Sequence, residues 1–237
     1  MLWLSAALAG SADPEVVSSR LAEVVPLLPM RMATATPSIP AKAWSRAASG
    51  ETVTGLTDVE GYAARIGWGV AVLDVGIERL WNGLNDELHH QEILGLGHVE
   101  VVKGQPCEDG RHVMMLMPLP IISDRWWVAD TRYNHALAEA SGGLVRELVW
   151  SGVDPEEVQL SDTARGLVEG AVAITFNTGA WLLVALEEQT LVEYHTWSDP
   201  GGELPAGPAT TIANASMAGT ILTMERYARE SESHCRL

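Results

Sequence analysis

The residues able to do chemistry are few, and their spacing does not suit it. His89, His90 and His98 lie near one another, with Glu87 and Glu92 alongside. A metal site needs ligands at set intervals, and neither His-Glu-x-x-His nor a comparable frame occurs. The three histidines therefore read as surface residues, and no metal or cofactor is expected. Asp124 and Arg125 could act as an acid and a base, but they read better as partners at a structural corner. Gly95-Leu96-Gly97 lacks the third glycine of a dinucleotide loop and the Lys-Ser/Thr of a P-loop. There is no nucleophile elbow. Asn214-Ala215-Ser216 matches a glycosylation signal only by chance if it lies within a helix. Cys107 and Cys235 make no disulfide framework. Cys235 falls in residues 232–237, which read as a mobile tail, so a bond between the two is not what the sequence suggests.

What remains to argue from is apolar. Met115 and Met117 share one face of a strand, with Met114 on the other. Trp126 and Trp127 are adjacent, so they face opposite sides. Trp181 and Leu183 share a face. Val192, Tyr194 and Thr196 share another, opposite Glu193 and His195, so the first set points inward. Near the C-terminus, Ala213, Met217, Ile221, Met224 and Ala228 fall on one helical stripe, with Ser216 and Thr220 at its edge. Methionine fills irregular space and adapts to varied apolar shapes. These residues read either as ordinary core or as the wall of a cavity.

The elements that must position them follow from periodicity and turn chemistry. Apolar residues at Val16, Val17, Leu21, Val24 and Val25 after Asp13 predict an amphipathic helix ended by Pro26. Residues 29–50, with Pro29, Pro37 and Pro40, read as loop or extended chain. Residues 51–56 read as an edge strand and 65–75 as a strand. Ile77, Leu80, Trp81 and Leu84 follow helical spacing, and residues 88–94 add a short helix. Strands are then predicted over 98–103, 111–117, 125–132, 143–150, 171–176, 181–186 and 190–197. Turn-prone residues separate them, among them Asn177-Thr178-Gly179. The stripe predicts a long helix over residues 206–228, which must bury its apolar face against the preceding sheet.

This order of elements resembles the START-like (SRPBCC, helix-grip) superfamily over roughly residues 68–228. Local sequences carry the resemblance. Ile77-Glu78-Arg79-Leu80-Trp81 with Asn85-Asp86 is similar to the first helix after the first core strand. Met117-Pro118-Leu119-Pro120-Ile121-Ile122-Ser123-Asp124-Arg125-Trp126-Trp127 is similar to a Pro-rich corner that enters an aromatic strand. Trp181, Tyr194 and Asp199-Pro200-Gly201-Gly202-Glu203-Leu204-Pro205 are similar to the approach to the grip helix. The resemblance implies an α+β fold in which a curved antiparallel sheet wraps a long C-terminal helix around an apolar cavity. It implies binding or transfer of a lipid or other hydrophobic small molecule. The expected lining is Met115, Met117, Trp127, Trp181, Leu183, Val192, Tyr194, Ala213, Met217, Thr220, Ile221 and Met224. The expected mouth lies at the Asn177–Gly179 turn and the 199–202 corner. The alternative is a cyclase- or dehydratase-like enzyme of the same fold acting on a polyketide-like or other apolar substrate, with Tyr194, His195 or Asp130 moving protons.

Composition bounds the partners. The chain has 237 residues, 47% of them hydrophobic, so one domain with a sizeable core can form. We read residues 13–231 as that domain. A net charge of −16 repels phosphates, so nucleic acid is not an expected partner. Transient membrane contact is compatible with a lipid ligand. Residues 1–12 are apolar at the start but carry no basic n-region. They fit the end of an export signal as well as an ordinary terminus, so cytoplasm and export both stay open. The sequence does not specify an oligomeric state.

Overall fold

The computed structural model describes residues 10–120, 122–202 and 206–236, with residues 206–215 described as backbone only. The chain opens with α1 (Pro14–Val24), a 3-10 turn (Val25–Met30) and α2 (Ala41–Ala48). Strands β1 (Val53–Thr57) and β2 (Ile66–Leu73) lead to α3 (Ile77–Leu84) and α4 (Glu87–Ile93). Then come β3 (His98–Lys103), β4 (Arg111–Met117), β5 (Arg125–Tyr133), α5 (His135–Ala140) and β6 (Val145–Val153). A 3-10 turn (Pro155–Glu157), α6 (Asp162–Leu167) and the short β7 (Val172–Ala173) precede β8 (Asn177–Leu186), β9 (Gln189–Ser198) and α7 (Ala206–Glu230).

The sheet runs β1-β2-β9-β8-β6-β5-β4-β3, antiparallel along that path, with β7 parallel to β5. Helix α7 crosses β2, β1 and β9 and packs on α3. This is the α+β helix-grip arrangement expected from the sequence. Strand β2 shows why the helix fits there. Its residues are buried on both faces, and the side toward α7 carries Gly67 and Gly69. A Cβ on Gly69 would stand 2.7 Å from Ile221 Cδ1, and one on Gly67 would stand 3.1 Å from Met217 Sδ. The missing side chains let the helix lie close to the sheet. On the opposite, convex face, Trp68 and Val70 pack against Ala43 and Ala47 of α2.

Several expectations need correction. Residues 29–50 are not simply extended. Pro40 stands at the N-cap of α2, where a missing N–H costs little, and Ala43 and Ala47 are small enough to sit on Trp68. Helices α5 and α6 escaped notice because each is only six residues long. Each is started by a side-chain cap, Asn134 Oδ1 accepting from Leu137 N and Ser161 Oγ accepting from Ala164 N. The strand expected at 171–176 shrinks to two residues. Asn177-Thr178-Gly179 is not a turn but the start of β8. There the Trp150 side chain lies across Gly179, whose added Cβ would come within 2.2 Å of the indole.

The tail is also not loose. Cys107 and Cys235 form a disulfide with their Cα atoms 5.4 Å apart. Asp86 Oδ2 accepts from Tyr227 Oη at 2.7 Å, His234 N at 2.8 Å and Ser233 Oγ at 3.1 Å. The histidines differ from one another as well. His90 is buried near the Gly83 carbonyl, and the His89 ring lies 4.6 Å from that of His234. Among the described residues no group of three or more His, Cys, Asp or Glu is placed to hold a metal. No described helix is long and apolar enough to cross a membrane.

Candidate functional site

Alternation along each strand sends every second side chain to the concave face under α7. That face divides into two regions. In the first, Leu183 and Val192 pack with Ala71 and Leu73 against Ile221 and Met224 of α7. None of these side chains has more than 1% of its surface accessible, so they border no water-sized space. Met217 is nearly as buried, over Gly67.

The second region lies toward β4, β5 and β6. Trp127 packs there with Ala129, Ile174, Leu96, Met115 and Trp150. Trp181 stacks on Tyr194, with ring centres 4.2 Å apart and planes 16° apart. Trp150 lies 6.1 Å from the Tyr194 ring. Met115, Trp150 and Tyr194 are mid-strand residues, yet each keeps accessible surface. Burial also pushes the Tyr194 phenol up to about 12. These three side chains are thus less completely packed than those of the first region. The Tyr194 hydroxyl has no hydrogen-bond partner among the described residues. Trp150 Nε1 donates to Asn177 Oδ1 at 3.1 Å, which places the Asn177 amide beside this aromatic group.

The remaining expected residues fall elsewhere. Met117 ends β4 and is 40% exposed. Thr220 sits partly buried on α7, donating to the Ser216 carbonyl at 3.3 Å. Ala213 lies outside the described side chains, as do Asn214 and Ala215 of the glycosylation match, although the helix backbone runs through all three.

Among the described residues Arg111, Arg125 and Arg146 face the concave side, and all are engaged; Arg146 pairs with Glu78 and lies over the Trp81 ring. Arg111 is fully buried, paired with Glu87. It also donates to Asn85 Oδ1 at 2.8 Å, Tyr133 Oη at 3.1 Å and the Glu108 carbonyl at 2.6 Å. Burial pushes the Tyr133 phenol up to about 12. Arg125 donates to the carbonyls of Ser123, Pro200 and Gly201. It clamps the 199–202 corner, and Asp124 accepts from Leu119 N at 2.9 Å. Asp124 and Arg125 thus do build a structural corner.

The three residues suggested for proton transfer do not converge. His195 and Asp130 lie on the convex face. His195 Nδ1 is 3.1 Å from Glu193 Oε1. Glu193 joins Glu147 around Arg31, whose guanidinium lies 2.8 Å from Glu147 and 2.9 Å from Glu193. Asp130 pairs with Arg132 at 2.9 Å. Of the three, only Tyr194 lies on the concave face. Sequence reasoning missed Trp150 and Asn177. Trp150 was open to detection, since it shares a strand face with the buried Leu148. Asn177 was hidden by its turn-like setting, Asn-Thr-Gly.

No family profile matches the chain, and no curated protein matches it. Solved structures do. A STAR-related lipid transfer protein fragment (residues 25–204) from Xanthomonas axonopodis is 19% identical over 82% of this chain and 98% of its own, with a TM-score of 0.61. Human STARD10 is 12% identical over 96% of this chain and 84% of its own, at 0.62. Human StAR-related lipid transfer protein 5 is 12% identical over 91% and 97%, at 0.61. The curved antiparallel sheet closed by a long C-terminal helix is therefore the START-type helix-grip fold.

Proposed function

We propose that the protein binds a lipid or other hydrophobic small molecule in the recess bounded by Met115, Trp127, Trp150, Trp181 and Tyr194, beneath α7. One observation carries the reading. These side chains sit in the middle of a sheet crossed by a long helix, where solid packing is the rule, yet Met115, Trp150 and Tyr194 remain accessible. Apolar walls with few polar groups are what small-molecule pockets present. Two structures of like fold are described as lipid transfer proteins. Carriage fits better than catalysis, because acid–base work needs a group whose pKa lies near the working pH. The ionisable side chain facing the recess is Tyr194, and burial holds its phenol up at about 12. Cargo exchange by transient membrane contact fits the exposed apolar Met117 at the end of β4 and Ile122 within the β4–β5 loop.

The test is native mass spectrometry of the purified protein, extraction of whatever copurifies, and titration with an uncharged alkylpyrene. One saturable site that quenches tryptophan emission is the expected result. A protein that carries nothing and leaves the alkylpyrene unbound would refute the reading.

A further inference from the structure

The two ends of the disulfide sit in unlike surroundings. Cys235 is 1% exposed, whereas Cys107, in the β3–β4 connection, keeps accessible surface. Cys107 also has a φ of +68°, left-handed backbone that a residue with a side chain adopts only at a cost. We infer that Cys107 is a thiol–disulfide exchange site, at which a dithiol opens the Cys107–Cys235 bond and loosens residues 104–108 while the C-terminal segment stays docked. One thiolate of the dithiol attacks Cys107 Sγ, on the residue with access, and forms a mixed disulfide there. The bond to Cys235 breaks, and Cys235 leaves as a thiolate that takes a proton from solvent. The second thiol of the reagent then loses its proton and attacks the reagent's own sulfur in the mixed disulfide. Cys107 leaves and is protonated in turn. The protein disulfide is reduced to two thiols, and the dithiol is oxidised to a disulfide.

The geometry separates the fates of the two cysteines. The Cys235 sulfur lies 2.9 Å from the Asn85 carbonyl. A disulfide sulfur has no proton to place there, but a thiol can donate one, so reduction adds a hydrogen bond. The chain beside it has other anchors. Asp86 Oδ2 accepts from His234 N and Ser233 Oγ, and Ser233 Oγ accepts from Cys235 N at 3.0 Å. Cys235 therefore stays in place. Cys107 has the opposite prospect. Freed from the bond, residue 107 can leave the left-handed region and turn its carbonyl away from Tyr133 Oη, which donates to it at 2.7 Å. Asp109 remains tied, accepting from Tyr133 N at 2.8 Å, so the loosening ends before it. A dithiol is required because Cys235, held beside Cys107, would expel a monothiol from the mixed disulfide and close the bond again.

The experiment incubates the native protein at pH 7.5 with dithiothreitol or glutathione at equal thiol concentration. Dithiothreitol is expected to reduce the bond in the folded protein, read as the mass of the hydrogens gained with circular dichroism unchanged. Glutathione should reduce at least about tenfold less of it. In the reduced protein iodoacetamide should label Cys107 at least about tenfold faster than Cys235. Amide exchange should speed up over residues 104–108 and stay slow over 231–236. Cys107→Ser, which leaves Cys235 a thiol, should fold and show the same exchange pattern. A bond that is reduced only once the protein unfolds overturns the assignment, as does glutathione matching dithiothreitol. Equal labelling of the two cysteines, or exchange that rises over 231–236 instead of 104–108, does the same.

Discussion

The two regions of the concave face can be separated by one pair of substitutions. Met115→Trp and Met224→Trp make the same chemical change on walls that face the same interior. Met224 is 1% exposed and touches the cluster of Leu73, Trp81 and Tyr227. An indole there has nowhere to go, and overpacking of this kind costs about 1–3 kcal/mol. At about 2 kcal/mol, a chain of this length should lose about 4–8 °C in Tm. Met115 borders accessible space beside Trp127 and Trp150. Its replacement should stay within about 0.5 kcal/mol of wild type, as substitutions outside packed interior do. The indole would occupy the recess, so alkylpyrene affinity should fall by about tenfold or more, equivalent to ~1.4 kcal/mol. Thermal unfolding by circular dichroism gives the stabilities, and probe emission gives the affinities. Met224→Trp should keep binding, and Met115→Trp should keep stability. Equal loss of Tm in both variants would mean that the Met115 side is solid core. A stable Met115→Trp that binds normally would move the ligand elsewhere.

Two further outcomes follow from the buried charges. Arg31→Met leaves Glu147 and Glu193 facing each other without their shared cation, so urea denaturation should show a loss of about 3–5 kcal/mol. Adding Glu147→Gln and Glu193→Gln to that variant should recover part of the loss, and no recovery would count against the charge argument. Burial tends to raise the Asp86 carboxyl, but hydrogen bonds from Tyr227, the His234 amide, His89 and Ser233 outweigh it and hold the carboxyl below its usual value. The stability this gives is complete above the unfolded carboxylate value of about 3.9 and is lost as pH falls through the lower folded value. Asp86→Asn should therefore flatten the acid limb of the stability curve, and an unchanged limb would show that Asp86 is not part of it.

Much of the fold was legible because it rests on local signals. The stripe through Met217, Ile221 and Met224 placed α7, and the alternation of Tyr194 with Glu193 and His195 gave the inward face of β9. Trp126 and Trp127 do face opposite sides, in separate clusters. What escaped depends on tertiary partners. Asn177 and Gly179 look like turn residues, but Trp150 lies over the glycine and bonds to the asparagine. Helix α2 looks like loop until Trp68 gives its alanines a surface. Cys235 is 128 residues from Cys107, a separation from which no pairing could be read. The stripe also could not show that Ile221 and Met224 fill space completely while Tyr194 does not. That depends on how far the helix stands from each strand, and the glycines of β2 set that distance.

The Cys107–Cys235 bond has a mechanical consequence. Together with the contacts of Asp86, it pins the chain just beyond the C-terminal end of α7 to the body of the protein. The helix is 25 residues long, or about 37 Å at ~1.5 Å per residue. It is a lever whose fulcrum is that end. A tilt of about 10° there lifts the first turn by about 6 Å over that length. The same tilt scarcely disturbs Tyr227, three residues from the helix's last residue. Rotation about that end is in turn opposed by Ile221 and Met217, which are seated against Gly69 and Gly67 of β2, so the helix is fixed both at its end and along its middle.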